Sequence, residues 1–246
     1  VASTTATGTY TITITASGGG VTHTTTVSLT VSSQIGFVQE TTCDTGNSTA
    51  SCRLPANVRL NNTLVAVVAT YGSPPASPPV CTNGRCGTFV QCGSSVDSGS
   101  LFATKHYLSV YSAAVTSGGG TSVQVNASFP GMIVAEFSGV ALSNACSLGL
   151  QAQNDTGMIF THVSPTSGTL AQTGMLLIGT VADPGTGTLS AGNGFTLIDV
   201  DTGSSGGLSV GASLQVYGST ASTFSQFGTK RRAQLDNIGI AAFKPQ

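Results

Sequence analysis

Between residues 105 and 140 the chain is written in a period of two. Residues 107–115, 122–127 and 132–140 read as three consecutive strands, parted by Gly118-Gly119-Gly120 and by Pro130-Gly131. Val123, Val125 and Ala127 alternate with polar residues, as in a strand that buries one face. The third run is apolar on both faces except at Glu136, which predicts a central strand in a sheet. Residues 62–71, 158–163, 175–181, 195–200, 214–217 and 238–243 are further apolar runs of strand length between Gly and Pro turns. No segment carries an apolar period of 3.6. About a dozen strands so divided predict an all-β chain, a jelly-roll-like β-sandwich.

The first 33 residues stand apart. Residues 9–15 alternate strictly, Gly18-Gly19-Gly20 turns, and Val27, Leu29 and Val31 resume the alternation. This predicts a β-hairpin, and two strands alone are marginal in water. Ser32-Ser33-Gln34 is the expected joint, giving a hairpin over 1–33 and a sandwich over 34–246. Val1 begins in mid-pattern without a start Met, which suggests a processed or trimmed chain.

Charge narrows the function. Only 7% of residues are charged and the net charge is -1, against a usual share of about 25%. Nothing here offers nucleic acid a basic field. Lys230-Arg231-Arg232 is the one cationic cluster and reads as a solvated turn. No apolar run approaches the length of a membrane-spanning helix. Ser and Thr fill 67 positions, so the surface is neutral and hydroxyl-rich, suited to packing against copies of itself or to glycosylation. Sequons at Asn47, Asn61, Asn126 and Asn154 permit the latter.

Six cysteines allow 15 pairings. The expected set is Cys43–Cys52, Cys81–Cys86 and Cys92–Cys146, the last joining a loop to the central strands. Paired Cys-x-x-Cys spacing, which a zinc site needs, is absent. Oxidised cysteines imply an extracellular location. Residues 72–100, with six consecutive positions rich in Pro and three of the cysteines, read as a long loop held as a compact projection.

Catalytic motifs fail on context. Asp201-Thr202-Gly203, behind the apolar residues 197–200, resembles the catalytic turn of pepsin-like aspartic proteases, and Asp44 and Asp155 begin the same tripeptide. That chemistry needs two carboxyls, each on a turn behind an apolar strand. Asp44 follows Thr41-Thr42-Cys43, and too little chain follows Asp201 for a second lobe. Gly203-Ser204-Ser205-Gly206-Gly207 fits a serine-hydrolase elbow in spelling but lacks the helix that must follow. His23, His106 and His162 are scattered and read as strand-surface residues. Glu136, the one acid in an apolar strand, has a catalytic acid as its second reading; it is expected instead to pair with Arg or backbone donors, or to help hold a cation. Asp97, Asp183, Asp199 and Asp201 would supply oxygen ligands to a calcium ion, the only cofactor the sequence suggests.

Two resemblances add to this. Residues 8–15 and 22–31 resemble the last two strands of bacterial immunoglobulin-like repeats, which stand in series in secreted and surface proteins. The resemblance implies that the hairpin lacks the earlier strands of its domain. Residues 34–246 are similar to modules at the ends of bacterial secreted proteins, through Asn62-Thr63-Leu64-Val65-Ala66-Val67, Ala135-Glu136-Phe137-Ser138-Gly139-Val140 and Ile240-Ala241-Ala242-Phe243-Lys244-Pro245. These resemble the jelly-roll layout of lectin-like modules and imply a fold more than an activity.

The function expected is a non-catalytic structural or adhesive protein of the cell exterior, a subunit or terminal module of a surface appendage. Its expected partners are copies of itself or neighbouring surface-protein domains. The second reading is a carbohydrate-binding module using Tyr71, Tyr107, Tyr111 and Tyr217, although the chain has no Trp.

Overall fold

The computed structural model describes residues 8–31, 34–44, 48–97, 105–155, 161–183, 189–201, 209–229 and 236–246, with nineteen strands and no helix among them. β1 (Gly8–Gly18) and β2 (Val21–Val31) pair along their full length, from Gly8↔Val31 to Gly18↔Val21. Gly19 and Gly20 close the turn at φ 59° and 80°. Both are left-handed, as a type I′ turn requires, and glycine reaches that region without a Cβ clash.

The remaining strands form two units of the same design. The first comprises β3 (Gly36–Asp44), β4 (Thr49–Arg53), β5 (Thr63–Tyr71), β6 (Val80–Cys81), β7 (Val90–Gln91), β8 (Val96–Asp97), β9 (His106–Ala114), β10 (Ser122–Asn126) and β11 (Gly131–Ser138). The second comprises β12 (Cys146–Asp155), β13 (Thr161–Val163), β14 (Met175–Asp183), β15 (Leu189–Gly192), β16 (Thr196–Asp201), β17 (Ser209–Tyr217), β18 (Gln226–Thr229) and β19 (Asp236–Phe243). The large sheets run β3-β11-β5-β9-β7 and β12-β19-β14-β17-β16; the small ones run β4-β10-β6 and β13-β18-β15. With β8 set aside as an addition beside β9, both units wind their eight strands in one order. First, eighth, third, sixth and fifth make the large sheet; second, seventh and fourth make the small one. This is the antiparallel jelly-roll winding, made twice.

Register repeats along with order. Val65 faces Ala135 and Ser112, and Ile178 faces Ala241 and Leu214. This superposes Leu64-Val65-Ala66-Val67-Val68-Ala69 on Leu177-Ile178-Gly179-Thr180-Val181-Ala182. It also superposes Val134-Ala135-Glu136-Phe137 on Ile240-Ala241-Ala242-Phe243. The single sandwich expected over 34–246 is therefore a tandem pair.

The large sheets face each other across a core that includes Val65, Val67, Leu108, Ile133, Phe137, Ile178 and Phe243. Each small sheet covers the outer face of its own large sheet. On the first unit Leu64, Val68, Phe89, Val123, Val125 and Met132 fill that space; on the second Val181, Leu189, Phe227 and Ile238 do so. Four layers explain why the central strands are apolar on both faces. Every residue of β5 but the last is buried, as is every residue of β11 but the last. At roughly 1.5–3 kcal/mol for each buried Val, Leu, Ile or Phe side chain, these strands carry much of the stability.

Contacts of the inner strands are reciprocal between the units: β5 and β11 touch β17, as β14 and β19 touch β9. This is the pattern of an isologous dimer interface, held within one chain. At the ends β3 meets β16, while β12 meets the added strand β8. Cys92–Cys146 bridges the units, and Leu150 N donates to Cys92 O at 2.8 Å beside it. The backbones meet there so closely that a Cβ on Gly149 would lie 2.9 Å from Gly93 Cα. Cys43–Cys52 ties β3 to β4, and Cys81–Cys86 closes the turn after β6. The three pairs are those the sequence led us to expect, and together they indicate an oxidising environment.

Residues 122–126 form a strand with one face buried, as the alternation of Val123 and Val125 requires, and β10 lies between β4 and β6 in the small sheet. One expectation changes. Residues 72–97 are no projection: β6 pairs with β10, β7 and β8 pair with β9, and Phe89 and Cys92 are buried. The segment satisfies backbone groups that β9 and β10 would otherwise leave bare at their edges. Among the described residues no helix is long and apolar enough to cross a membrane.

Candidate functional site

Every residue of β1, and of β2 as far as Leu29, is exposed. Pairing sorts the hairpin's side chains by chemistry. Tyr10↔Leu29, Ile12↔Val27, Ile14↔Thr25 and Gly18↔Val21 lie on one face; Thr11↔Ser28, Thr13↔Thr26, Thr15↔Thr24 and Ser17↔Thr22 lie on the other. Between residues 8 and 31 there is no Asp, Glu, Lys or Arg, and His23 sits on the apolar face opposite Ala16. Tyr10, Ile12, Ile14, Val21, Val27 and Leu29 are each 41–54% exposed. None of the buried clusters includes a hairpin residue. Natural sheet edges are usually blunted by charge, proline or a bulge. This hairpin has none of the three, and its register is unbroken.

A second surface gathers aromatic rings at the end of β5. Tyr71 and His106 are cross-strand partners with ring centroids 4.8 Å apart. Phe129 meets Tyr71 edge-on, with ring centroids 6.3 Å apart. Tyr71 N donates to Ser128 O at 2.9 Å, and Gly72 N to Lys105 O at 2.7 Å, so the backbone pins both flanks. Phe129 is 39% exposed at φ 46°, a left-handed conformation that bulky residues seldom adopt. Lys105 Nζ, at the start of β9, pairs with Asp97 at 2.7 Å.

The nominated tyrosines do not converge. Tyr111 is 2% exposed, packed between the large and small sheets, and burial pushes its phenol pKa upward. It cannot offer a ring to a sugar. Tyr107 pairs with Thr70, one residue out of step with Tyr71, and so points to the opposite face of its sheet; Tyr217 belongs to the second unit. Of the four, Tyr71 alone sits in an aromatic cluster.

The nominated aspartates are also dispersed. Asp97 is on β8 of the first unit, Asp199 and Asp201 are on β16 of the second, and the side chain of Asp183 lies outside the described residues. Among the described residues no group of three His, Cys, Asp or Glu side chains could hold a metal ion. Asp199 instead faces Glu40 of β3 across the joint between units. Burial, then the charge of Asp199 and its hydrogen bond, raise the Glu40 carboxyl above the ordinary range.

Glu136 is wholly buried, and its carboxyl is fully engaged. Oε1 accepts from Arg59 N at 2.8 Å and from Asn62 Nδ2 at 2.6 Å, and Oε2 accepts from Gln39 Nε2. Its partners are thus backbone and amide donors. The carboxyl knits β11 to β3 and to the segment between β4 and β5. Asp201 is also buried. Of the three histidines expected on strand surfaces only His23 is exposed; His106 and His162 point into the packed layers and are buried. The side chains of Asp44 and Asp155, and residues 202–208 with the Gly/Ser run, lie outside the described residues, as do Asn47 and 230–232. Asn61 and Asn126 are exposed, Asn61 in a left-handed turn; the Asn154 side chain is not described.

A cleft of about 530 Å³ runs beside β7 and the linker between units, lined by Thr63, Gln91, Ser112, Leu142 and Asn144 among others. Its lining carries no charge, and Thr63 Oγ1 already donates to Val140 O and Ala141 O.

Sequence reasoning passed over Phe129, Glu40, and the Gln39 and Asn62 partners of Glu136. For Phe129 a signal stood in the open: a large aromatic directly before Pro130-Gly131, inside a turn. The chain matches no protein-family model, no curated protein and no solved structure.

Proposed function

We propose that this chain is a non-catalytic structural and adhesive module of the cell exterior, coupled to a second copy of itself through the hairpin. One observation carries the reading: an uncharged, unbulged hairpin whose apolar face and both edges are left in water. Facing two such stripes would remove on the order of 500 Å² from each copy, about 1,000 Å² in total, the lower bound for a specific interface. Adding the hairpin edge to a strand of the next copy would contribute backbone hydrogen bonds besides. The three disulfides support an extracellular setting. The complete hydrogen bonding of Glu136 inside the fold favours a structural over a catalytic role for it.

Sedimentation velocity and negative-stain electron microscopy test the coupling. The full chain should form dimers or longer assemblies as concentration rises, and Ile12→Asp should abolish them. Deleting residues 8–31 should leave a folded monomer, because no core cluster uses them. A full chain that stays monomeric at high concentration refutes the proposal.

A further inference from the structure

We infer that the loop from Ser117 to Ser122, with Arg53 and Arg85 beside it, is a binding site for an oxyanion: a sulfate, phosphate or carboxylate group. The site belongs to the first unit and does not depend on hairpin coupling. The chain has eight Lys and Arg in all, so an arginine without a counter-charge is conspicuous. The described acids of the first unit are engaged elsewhere. Glu40 faces Asp199, Asp97 pairs with Lys105, and Glu136 is buried on amide and backbone donors. Among the described residues neither Arg53 nor Arg85 has an ion-pair partner.

The loop holds Arg85 in place. Arg85 stands in the turn closed by Cys81–Cys86, and its O accepts from Thr116 N at 2.9 Å and from Ser117 N at 3.2 Å. Its guanidinium lies against Gly119, where a Cβ would come within 3.1 Å of Cζ. So placed, it uses one of its five N–H donors among the described residues: Nη1 donates to Ser117 Oγ at 3.4 Å, and Nε is buried without an acceptor. Further along the same loop Arg53 is exposed opposite Ser122, and it lines a hollow of about 280 Å³ with Asn83, Gly120, Thr121 and Ser122. Asn83 fixes the loop from both ends of its amide: Nδ2 donates to Gly120 O, and Oδ1 accepts from Thr121 Oγ1 at 2.8 Å. Unspent guanidinium donors on a fixed support suit an oxyanion, because the planar fork gives two charge-assisted bonds to one group. A loop already tied down keeps the ordering cost of binding low.

The test titrates the full oxidised chain at low ionic strength with inorganic sulfate, inorganic phosphate and acetate, and with heparin and polyglutamate as polymers bearing the same groups. Saturable binding of at least one probe is expected by calorimetry, weakening as salt is added. Tighter binding of a polymer than of its free ion assigns the group to a chain; the reverse assigns it to the free ion. Arg53→Gln and Arg85→Gln should each bind at least about tenfold more weakly. Lys244→Gln removes the same charge outside the loop and should bind as the parent does. Arg53 is exposed, so its variant keeps the test open should Arg85→Gln fail to fold. In the native chain the bound anion must also shift the amide resonances of residues 119–122. No binding of any probe, unchanged affinity in both arginine variants, an equal loss in Lys244→Gln, or unshifted loop amides would overturn the inference.

Discussion

Replacing Glu136 with Ala probes the first unit where its layers are stitched together. The carboxyl receives three donors inside the fold, and the variant removes their acceptor. Gln39 Nε2 keeps a second acceptor in Ala56 O at 3.3 Å, so two donors, Arg59 N and Asn62 Nδ2, lose their recorded partner. A buried donor left unsatisfied costs about 1–3 kcal/mol, and the vacated volume adds on the order of 1 kcal/mol. Relief from burying a carboxyl returns part of this, leaving a net loss of about 3–5 kcal/mol. At roughly 2–4 °C for each kcal/mol in a domain of this size, Tm should fall by about 6–20 °C. Calorimetry and urea titration both read the change. Position 242, the counterpart in the second unit, gives the control. Ala242 sits among Met175, Leu177 and Ile240, so Ala242→Glu should destabilise at least as much. A loss below about 1 kcal/mol for Glu136→Ala would refute the claim that these bonds hold β11 to its neighbours.

Disulfide removal should rank by loop length. Cys92–Cys146 spans a separation of 54 and Cys81–Cys86 one of 5, so chain entropy gives losses of about 4 and about 2 kcal/mol. Denaturation of the paired Cys→Ala variants checks the order, and equal losses would contradict it. Glu40→Gln should stabilise the protein at neutral pH. The Glu40 pKa is raised in the fold, so its favourable contribution is complete in acid and fades as pH climbs through the raised value. The parent and Gln variant should therefore converge below about pH 4 and separate above it. Melting curves across that range that diverge in acid instead would invert the argument.

The hairpin and the central strands were legible because their chemistry follows the strand period. Ile12, Ile14, Val27 and Leu29 fall on one face as the alternation requires. Residues 132–137 are apolar on both sides because core lies on both sides. The repeated winding was harder to see. Leu64-Val65-Ala66-Val67-Val68-Ala69 and Leu177-Ile178-Gly179-Thr180-Val181-Ala182 agree at three of six positions, a match of a kind that any two buried strands of small aliphatic residues can show. Val134-Ala135-Glu136-Phe137 and Ile240-Ala241-Ala242-Phe243 look unrelated at Glu136, the one position where the first unit installed a polar anchor. β6, β7 and β8 are two residues each, too short to show any period, so residues 72–97 read as loop. Glu40 and Phe129 owe their surroundings to contacts across sheets and turns, which no local pattern carries.

The reciprocal joint between units has a consequence for how this chain can vary. In a symmetric dimer of identical subunits, each substitution appears on both sides of the axis and must suit both. Here the two sides are separately encoded, and they have already drifted apart. One end of the joint is locked covalently by Cys92–Cys146, while β3 and β16 meet at the other with Glu40 against Asp199. All three disulfides begin in the first unit, and two lie entirely within it. One copy can thus act as a rigid keel while the other accepts changes in its outer strands, a division of labour closed to two identical chains.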